Sequence, residues 1–260
     1  MIRLEELNKY LNKLLIYDRK LDLARIDPYM TNGLMVKGRE EVRKIGFGVS
    51  ASVALFEKAL DAKCEALIVH HSFNMPAYNQ YDEIFQNRIG FLVKNDISLF
   101  GFHFLLDAHP EVGNNVQILK TVGANPVSGY FHRGNPWGWI GELPNKNELS
   151  SIEGKLKSYM SSRLITYRFG PQSVKKVVAI SGKGSPIASD MQFLIDEKID
   201  LYITGEAHEW NREMFREAKI NFIAGGHYAT EVFGIRALME KVKTHFPEVT
   251  VEWLELKNDV

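Results

Sequence analysis

The feature that most limits what this chain can fold into is a pattern that occurs twice. The stretch "KIGFGVSASVALFEKALDAKCEALIVHHSF" (44 to 73) lies over "KVVAISGKGSPIASDMQFLIDEKIDLYITGEAHEW" (176 to 210), strand on strand and helix on helix, with only a short gap. Each copy runs from an apolar strand-like segment through a helical one into a second apolar segment, the signature of a β-α-β unit. The likeness continues further on. "ISLFGFHFLLD" (97 to 107) lies over "NFIAGGHYATE" (221 to 231), and both place a carboxylate four residues after a histidine, so His103 and Asp107 match His227 and Glu231. The pattern predicts an α/β fold made of two similar α/β domains from an internal duplication. Generic α/β patterning also produces repeats this weak, so the alignment by itself leaves both origins open.

The remaining segments fill in the organisation. Leu4, Leu7, Leu11, Leu14 and Leu15 fall at helical spacing and predict an opening amphipathic helix that stops before "RIDPYMTNG". A helix through "YDEIFQNRIGFLVKND" leads to the apolar strand "ISLFGFH". "NPWGWIGELPN" (135 to 145), rich in Gly and Pro, reads as a turn region near a domain boundary, with a helix through "ELSSIEGKLKSYM" after it. The expected first domain is 1–126 plus 227–260 and the second 127–226.

Within this frame "LIVHH" (67 to 71) raises a chemical question, because a buried strand finishes on His70 and His71. Neighbouring side chains in a strand interior point to opposite faces and do not easily serve one site. At the strand's end the chain turns and that limit relaxes, and in open α/β sheets the carboxyl ends of strands are where ligand sites form.

Composition narrows the chemistry. Lys plus Arg and Asp plus Glu are 32 each in 260 residues, so no global field favours nucleic acid or an anionic membrane. Cys64 is the only cysteine, which excludes an intrachain disulfide and a thiolate-rich metal site, so any metal must use nitrogen and oxygen donors. The N-terminus is charged throughout, unlike a signal peptide, and no nearby stretch is long and apolar enough to span a membrane. The expected location is the cytoplasm.

His70, His71, Asp107, His227 and Glu231 together make a mixed N/O set suited to divalent metals, and five ligands exceed one closed tetrahedral site. Two metals with open positions would use such a set, as in two-metal hydrolytic centres. The bland alternative stays open, since a lone His-x-x-x-Asp is also the spacing of a loop or capping feature. "SGKGSP" (181 to 186) links a strand to a helix but lacks the spacing of a phosphate loop, so it reads first as a tight structural turn. "TGEAHEW" (204 to 210) puts Glu206 and His208 at the end of the strand matching "LIVHH", either lining the same cleft or forming a solvated loop. His109, His132 and His245 stand alone and read as structural or surface residues. Ser72 and Cys64 have no visible base beside them, so nucleophilic triad chemistry has little support.

The chain resembles the NIF-three-like family, the "dinuclear metal centre, hexameric" proteins often labelled GTP cyclohydrolase 1 type 2 homologues. The motifs run in family order: "NGLMVKGREEVRKIGFGVSAS" (32 to 52), "LIVHHS" (67 to 72), "LLDAHPEVGNN" (105 to 115), "IGELP" (140 to 144), "VVAISGKG" (177 to 184), "ITGEAHE" (203 to 209) and "AGGHYATEVFGIRAL" (224 to 238). The resemblance implies a NIF-three-like fold in its short form, without the inserted middle domain of longer relatives, assembled as a homohexameric ring. It implies His70, His71, Asp107, His227 and Glu231 as ligands of two divalent ions, zinc, iron, manganese or nickel, with His103 beside them, behind the ligands or on the substrate side. The implied activity is metal-dependent hydrolysis of a nucleotide-like or other small molecule, with Glu206 or His103 handling protons. The alternative is a non-catalytic metal-binding, metal-chaperone or scaffold protein. One departure stands out: the family usually follows His-His with Gly and a nearby Trp, whereas this chain has Ser72, Phe73 and Asn74, so the mouth of the site is expected to differ.

Overall fold

The computed structural model describes residues 1–16, 22–28, 30, 32–74, 81–160 and 164–258. They divide into two compact units, Met1–His109 with Ile235–Leu256, and Pro110–Gly234 with Lys257–Val260.

The first unit opens with β1 (Ile2–Arg3) and α1 (Leu4–Leu15). Leu4, Leu7, Leu11 and Leu15 form the buried stripe of α1, while Glu5 and Lys9 pair one turn apart on its exposed side. There follow α2 (Leu23–Ile26), β2 (Gly33–Val36), β3 (Glu41–Val42), β4 (Lys44–Ser50), α3 (Val53–Asp61), β5 (Ala66–His71), α4 (Glu83–Lys94), β6 (Ser98–Gly101) and the single turn α5 (Phe104–Asp107). Helices α3 and α4 start where side chains cap them: Ser52 accepts from the Leu55 amide and Asp82 from the Phe85 amide.

The second unit contains α6 (Asn114–Val122), β7 (Asn125–His132), β8 (Asn135–Glu148), α7 (Leu149–Lys157), β9 (Ile165–Tyr167), β10 (Ser173–Ile180), α8 (Ala188–Asp196), β11 (Leu201–Thr204), α9 (Asn211–Ala218) and β12 (Asn221–Ala224). α10 (His227–His245) begins in this unit, and β13 (Thr250–Trp253) belongs to the first.

Beside a two-stranded β1–β3 ribbon, the two larger sheets share a plan. In the first the strand order is β13-β4-β5-β6-β2, with β4, β5 and β6 parallel and β2 antiparallel at the edge. In the second it is β7-β8-β10-β11-β12-β9, with β10, β11 and β12 parallel and β9 antiparallel at the edge. The units β4-α3-β5-α4-β6 and β10-α8-β11-α9-β12 therefore repeat, as the sequence alignment anticipates. They differ on the other flank, where β13 pairs parallel with β4 but β8 pairs antiparallel with β10.

Alternation along the strands builds the cores. In the second unit Val177, Ala179, Leu201 and Ile203 face one hydrophobic cluster, and Val178, Ile180, Tyr202 and Phe222 face another. In the first, Leu67, Val69 and Leu99 pack with Leu55, Phe56 and Leu92.

Two expectations change. The seams fall at His109/Pro110 and Gly234/Ile235, not at 126/127 and 226/227. Ile118, Leu119 and Val122 of α6 are wholly buried in the second unit's core, and Ala229 and Phe233 of α10 pack against that same cluster. The Gly- and Pro-rich segment 135–145 is no turn region but part of the strand β8, paired on one side with β7 and on the other with β10. A β-carbon on Gly138 would stand 2.7 Å from Ile180 and one on Gly141 3.0 Å from Leu119, so these glycines mark close packing on a strand. Pro144 falls where the β8–β10 register slips, between Glu142 and Asn147, and there no ladder hydrogen bond is asked of it. Among the described residues, no helix is long and apolar enough to cross a membrane.

Candidate metal centre

In both units the chemistry-bearing side chains stand at the carboxyl ends of the parallel strands, where the helix connections leave the sheet open. In the first unit the β5–β6 ladder stops at the Val69–Gly101 pair, so the strand is released at its last two residues on that side. The two histidine rings there come to 4.7 Å centre to centre.

His70, His71 and His103 of the first unit are each held through Nδ1. His70, fully buried, has Nδ1 2.9 Å from the Phe102 carbonyl oxygen, and as a donor there it leaves Nε2 as the ligand nitrogen. His71 Nδ1 lies 3.0 Å from Ser50 Oγ at the end of β4. His103 Nδ1 is 3.2 and 3.1 Å from the two carboxylate oxygens of Asp27. Asn32 braces that pair, giving its amide to Asp27 Oδ2 at 3.2 Å and accepting the His103 backbone N–H at 3.0 Å. One ring nitrogen from each of His70, His71 and His103 lies within 4.8 Å of the other two. Asp107, buried on α5, brings Oδ2 to 3.4 Å from His70 Nε2.

The second unit builds its part on the first turn of α10. His227 Nε2 is 3.2 Å from Glu231 Oε1, one helical turn along, and His227 Nδ1 is 2.5 Å from Glu206 Oε1 at the end of β11. Burial alone would lower the His227 pKa, but the hydrogen bonds and charges of Glu231 and Glu206 outweigh it and raise it to about 9. Glu206 Oε2 is 3.7 Å from His208 Nε2, and the His208 ring stacks on the half-exposed Trp210.

The "SGKGSP" segment is a structural turn, and it also touches these residues. The Ser181 amide donates to Asn115 Oδ1 and the Gly182 amide to Thr230 Oγ1, so these N–H groups are committed within the protein. The Gly182 carbonyl accepts from the Gly205 and Glu206 amides, which fixes the start of the β11–α9 loop.

Of the seven predicted site residues, His70, His71, His103 and Asp107 gather in the first unit, and Glu206, His227 and Glu231 in the second. Asp27, Asn32 and Ser50 escaped sequence reasoning, as did Gly182 as a neighbour of the ligands. Asp27 sits in a segment that reads only as a helix stop, and no spacing rule connects it to a histidine 76 positions away. His109, His132 and His245 take structural partners: the Leu14 carbonyl, Asp190 and the Tyr10 ring. Burial pushes the Cys64 thiol up to about 12, far from a thiolate nucleophile. Ser72 and Phe73, the departure noted in the sequence, are buried. Phe73 packs edge-on against Phe56 and Phe85, so these two side chains enter the core rather than shape the mouth.

The profile of the family Duf34/NIF3 (NGG1p interacting factor 3) matches residues 4–259. The chain belongs to the Duf34/NIF3 family. It is 34% identical over 236 residues to a "GTP cyclohydrolase 1 type 2 homolog" of Pyrococcus abyssi, covering 90% of this chain and 93% of that protein. A relative of the same description from Escherichia coli K12 is 37% identical over 246 residues, covering 94% and 96%. A solved protein of Thermus thermophilus superposes with a TM-score of 0.83 at 27% identity, covering all of both chains. In this Duf34/NIF3 member the donors of each unit are of the kind that could hold a divalent ion. Four histidines have Nδ1 engaged by a carbonyl, a hydroxyl or a carboxylate, the kind of supporting contact that orients metal-binding imidazoles. Asp107 and Glu231 add nearly buried carboxylates, at 5% and 3% exposure, where a charge needs a partner.

Proposed function

We propose that this protein binds two divalent metal ions through His70, His71, Asp107, His227 and Glu231 and acts as a metal-dependent hydrolase on a nucleotide-like or other small molecule, in the cytoplasm, as a homohexamer. The observation that carries the reading is the anchoring of His70, His71 and His227 through Nδ1, with His70 Nε2 3.4 Å from Asp107 Oδ2 and His227 Nε2 3.2 Å from Glu231 Oε1. The description of the curated relatives as GTP cyclohydrolase 1 type 2 homologues places nucleotides among the first substrates to try.

When bound, the ions supply Lewis acidity for hydrolysis and make water acidic near neutral pH. The chain's own groups do the rest. Glu206 accepts the Nδ1 proton of His227 and so holds its ring in one orientation. Its second oxygen faces His208, whose side chain is 22% exposed, and this gives Glu206 a route for protons to and from solvent. Of the two residues expected to move protons, His103 is the more constrained, because its Nδ1 is committed to Asp27.

The test is a metal-replete assay against nucleotides, cyclic phosphodiesters and pterin precursors, run beside Glu231→Ala. Turnover that follows metal loading and vanishes in Glu231→Ala supports the hydrolase. Protein that carries its metal yet turns over no compound in the panel favours the non-catalytic metal-binding alternative. Turnover undiminished in a metal-depleted Glu231→Ala protein would make the metal structural and the reading wrong.

A further inference from the structure

We propose that His103 is itself a metal ligand, the third imidazole of a site that the first unit builds from His70, His71, His103 and Asp107 for a borderline divalent cation such as zinc or iron(II). This rests on the reading that the protein binds metal, and it changes what His103 does there.

Convergence is the first argument. One nitrogen each of His70, His71 and His103 falls within 4.8 Å of the other two, and the three rings lie 4.7 to 5.4 Å apart centre to centre. With Nδ1 of each ring within hydrogen-bond distance of a carbonyl, a hydroxyl or a carboxylate, Nε2 is the nitrogen that each would offer a shared cation.

The second argument is the anchoring of His103. Both oxygens of Asp27 face its Nδ1, Asp27 is 7% exposed, and Asn32 ties the carboxylate to the His103 backbone. A buried carboxylate on the far nitrogen fixes the tautomer and makes Nε2 a stronger donor, as in carboxylate–histidine–metal arrangements. Asp27 is therefore a positioning residue, and Asn32 holds it in place. An Asp–His pair also serves proton transfer, but a proton carrier does not need two further imidazole nitrogens gathered against it. The donor set also selects the ion: three imidazoles suit zinc, iron or nickel, whereas magnesium and calcium prefer oxygen.

The experiment isolates the first unit's site by removing the second unit's donors with His227→Ala and Glu231→Ala together, then loads the full chain with cobalt(II). This double variant is expected to retain one cobalt ion per chain, with a visible absorption band from bound imidazole. Adding His103→Ala should change that band and weaken cobalt by about 10- to 100-fold or more in chelator competition, and Asp27→Asn should weaken it by a smaller factor. His103→Gln, checked for folding by circular dichroism, replaces His103→Ala if the alanine variant does not fold. A wild-type protein that takes up no metal would defeat the underlying reading instead. If wild type binds metal but the double variant holds none, or if a folded His103 variant keeps the parent's band and affinity, His103 is not a ligand and the inference falls.

Discussion

Gly182 lies so close to Glu231 that a β-carbon on it would stand 2.2 Å from Glu231 Oε1 and 3.2 Å from His227 Nε2. Its φ is +56°, in the left-handed region that glycine adopts without steric cost. A residue four positions from Pro186 in a strand–helix turn thus sets the room available to two proposed ligands. Gly182→Ala should push the Glu231 carboxylate aside and weaken metal binding by about 10- to 100-fold, the usual scale for disturbing the support of a ligand. It should also cost about 1–3 kcal/mol in stability for the strained backbone. Chelator competition and urea unfolding read the two effects separately, and wild-type metal affinity in the alanine variant would contradict the close approach.

Metal content is the most direct check on the proposed function. Elemental analysis of gently purified protein should find close to two divalent ions per chain, and His70→Ala or His227→Ala should lower that number while leaving the fold intact. These side chains stand at the ends of elements and are not members of the hydrophobic clusters described above. Metal near zero, with no uptake on adding zinc, manganese or iron, would end the two-metal proposal.

Assembly can be read without knowing the substrate. Light scattering should give six times the chain mass, held on dilution. A monomer at every concentration would remove the hexameric ring from the proposal.

Acid should loosen the β7–β8 hairpin. Burial tends to raise the Asp190 pKa, but its hydrogen bond and charge interaction with His132, and the backbone N–H groups of Ile187 and Arg133, leave it below the ordinary 3.8. A carboxylate depressed in the folded state contributes stability that is present above about pH 3.8 and lost as pH falls through the lower folded value. Urea midpoints measured from about pH 5 down to about pH 2 should therefore fall in wild type, and fall less steeply in Asp190→Asn. Equal slopes would show that the His132–Asp190 pair carries none of the acid sensitivity.

Phe73 offers a contrast with the ligands beside it in sequence. It is 2% exposed and packs against Phe56 and Phe85, so Phe73→Ala should cost about 3–5 kcal/mol of folding stability. Below the unfolding transition the variant should still take up wild-type amounts of metal. A stable Phe73→Ala protein with altered metal uptake would mean that this side chain belongs to the site after all.

Local patterning carried much of this protein in its sequence. Strand alternation and helical spacing placed β4, β5 and α1 because these depend on residues a few positions apart. The paired histidines ending "LIVHH" and the four-residue step from His227 to Glu231 were legible for the same reason, one as a strand end and the other as one turn of α10. What only the tertiary structure decided lies between segments far apart in the chain. Asp27 meets His103 across 76 positions, Ser50 meets His71 because β4 and β5 end in register, and Thr230 receives the Gly182 amide across 48. Glycine was the most ambiguous signal: in "NPWGWIGELPN" it suggested a turn where neighbouring side chains in fact close over a strand, and in "SGKGSP" the turn was real but its nearness to Glu231 was invisible. A missing side chain permits both a bend and a close approach, and only the packing of the rest of the chain determines which one occurs.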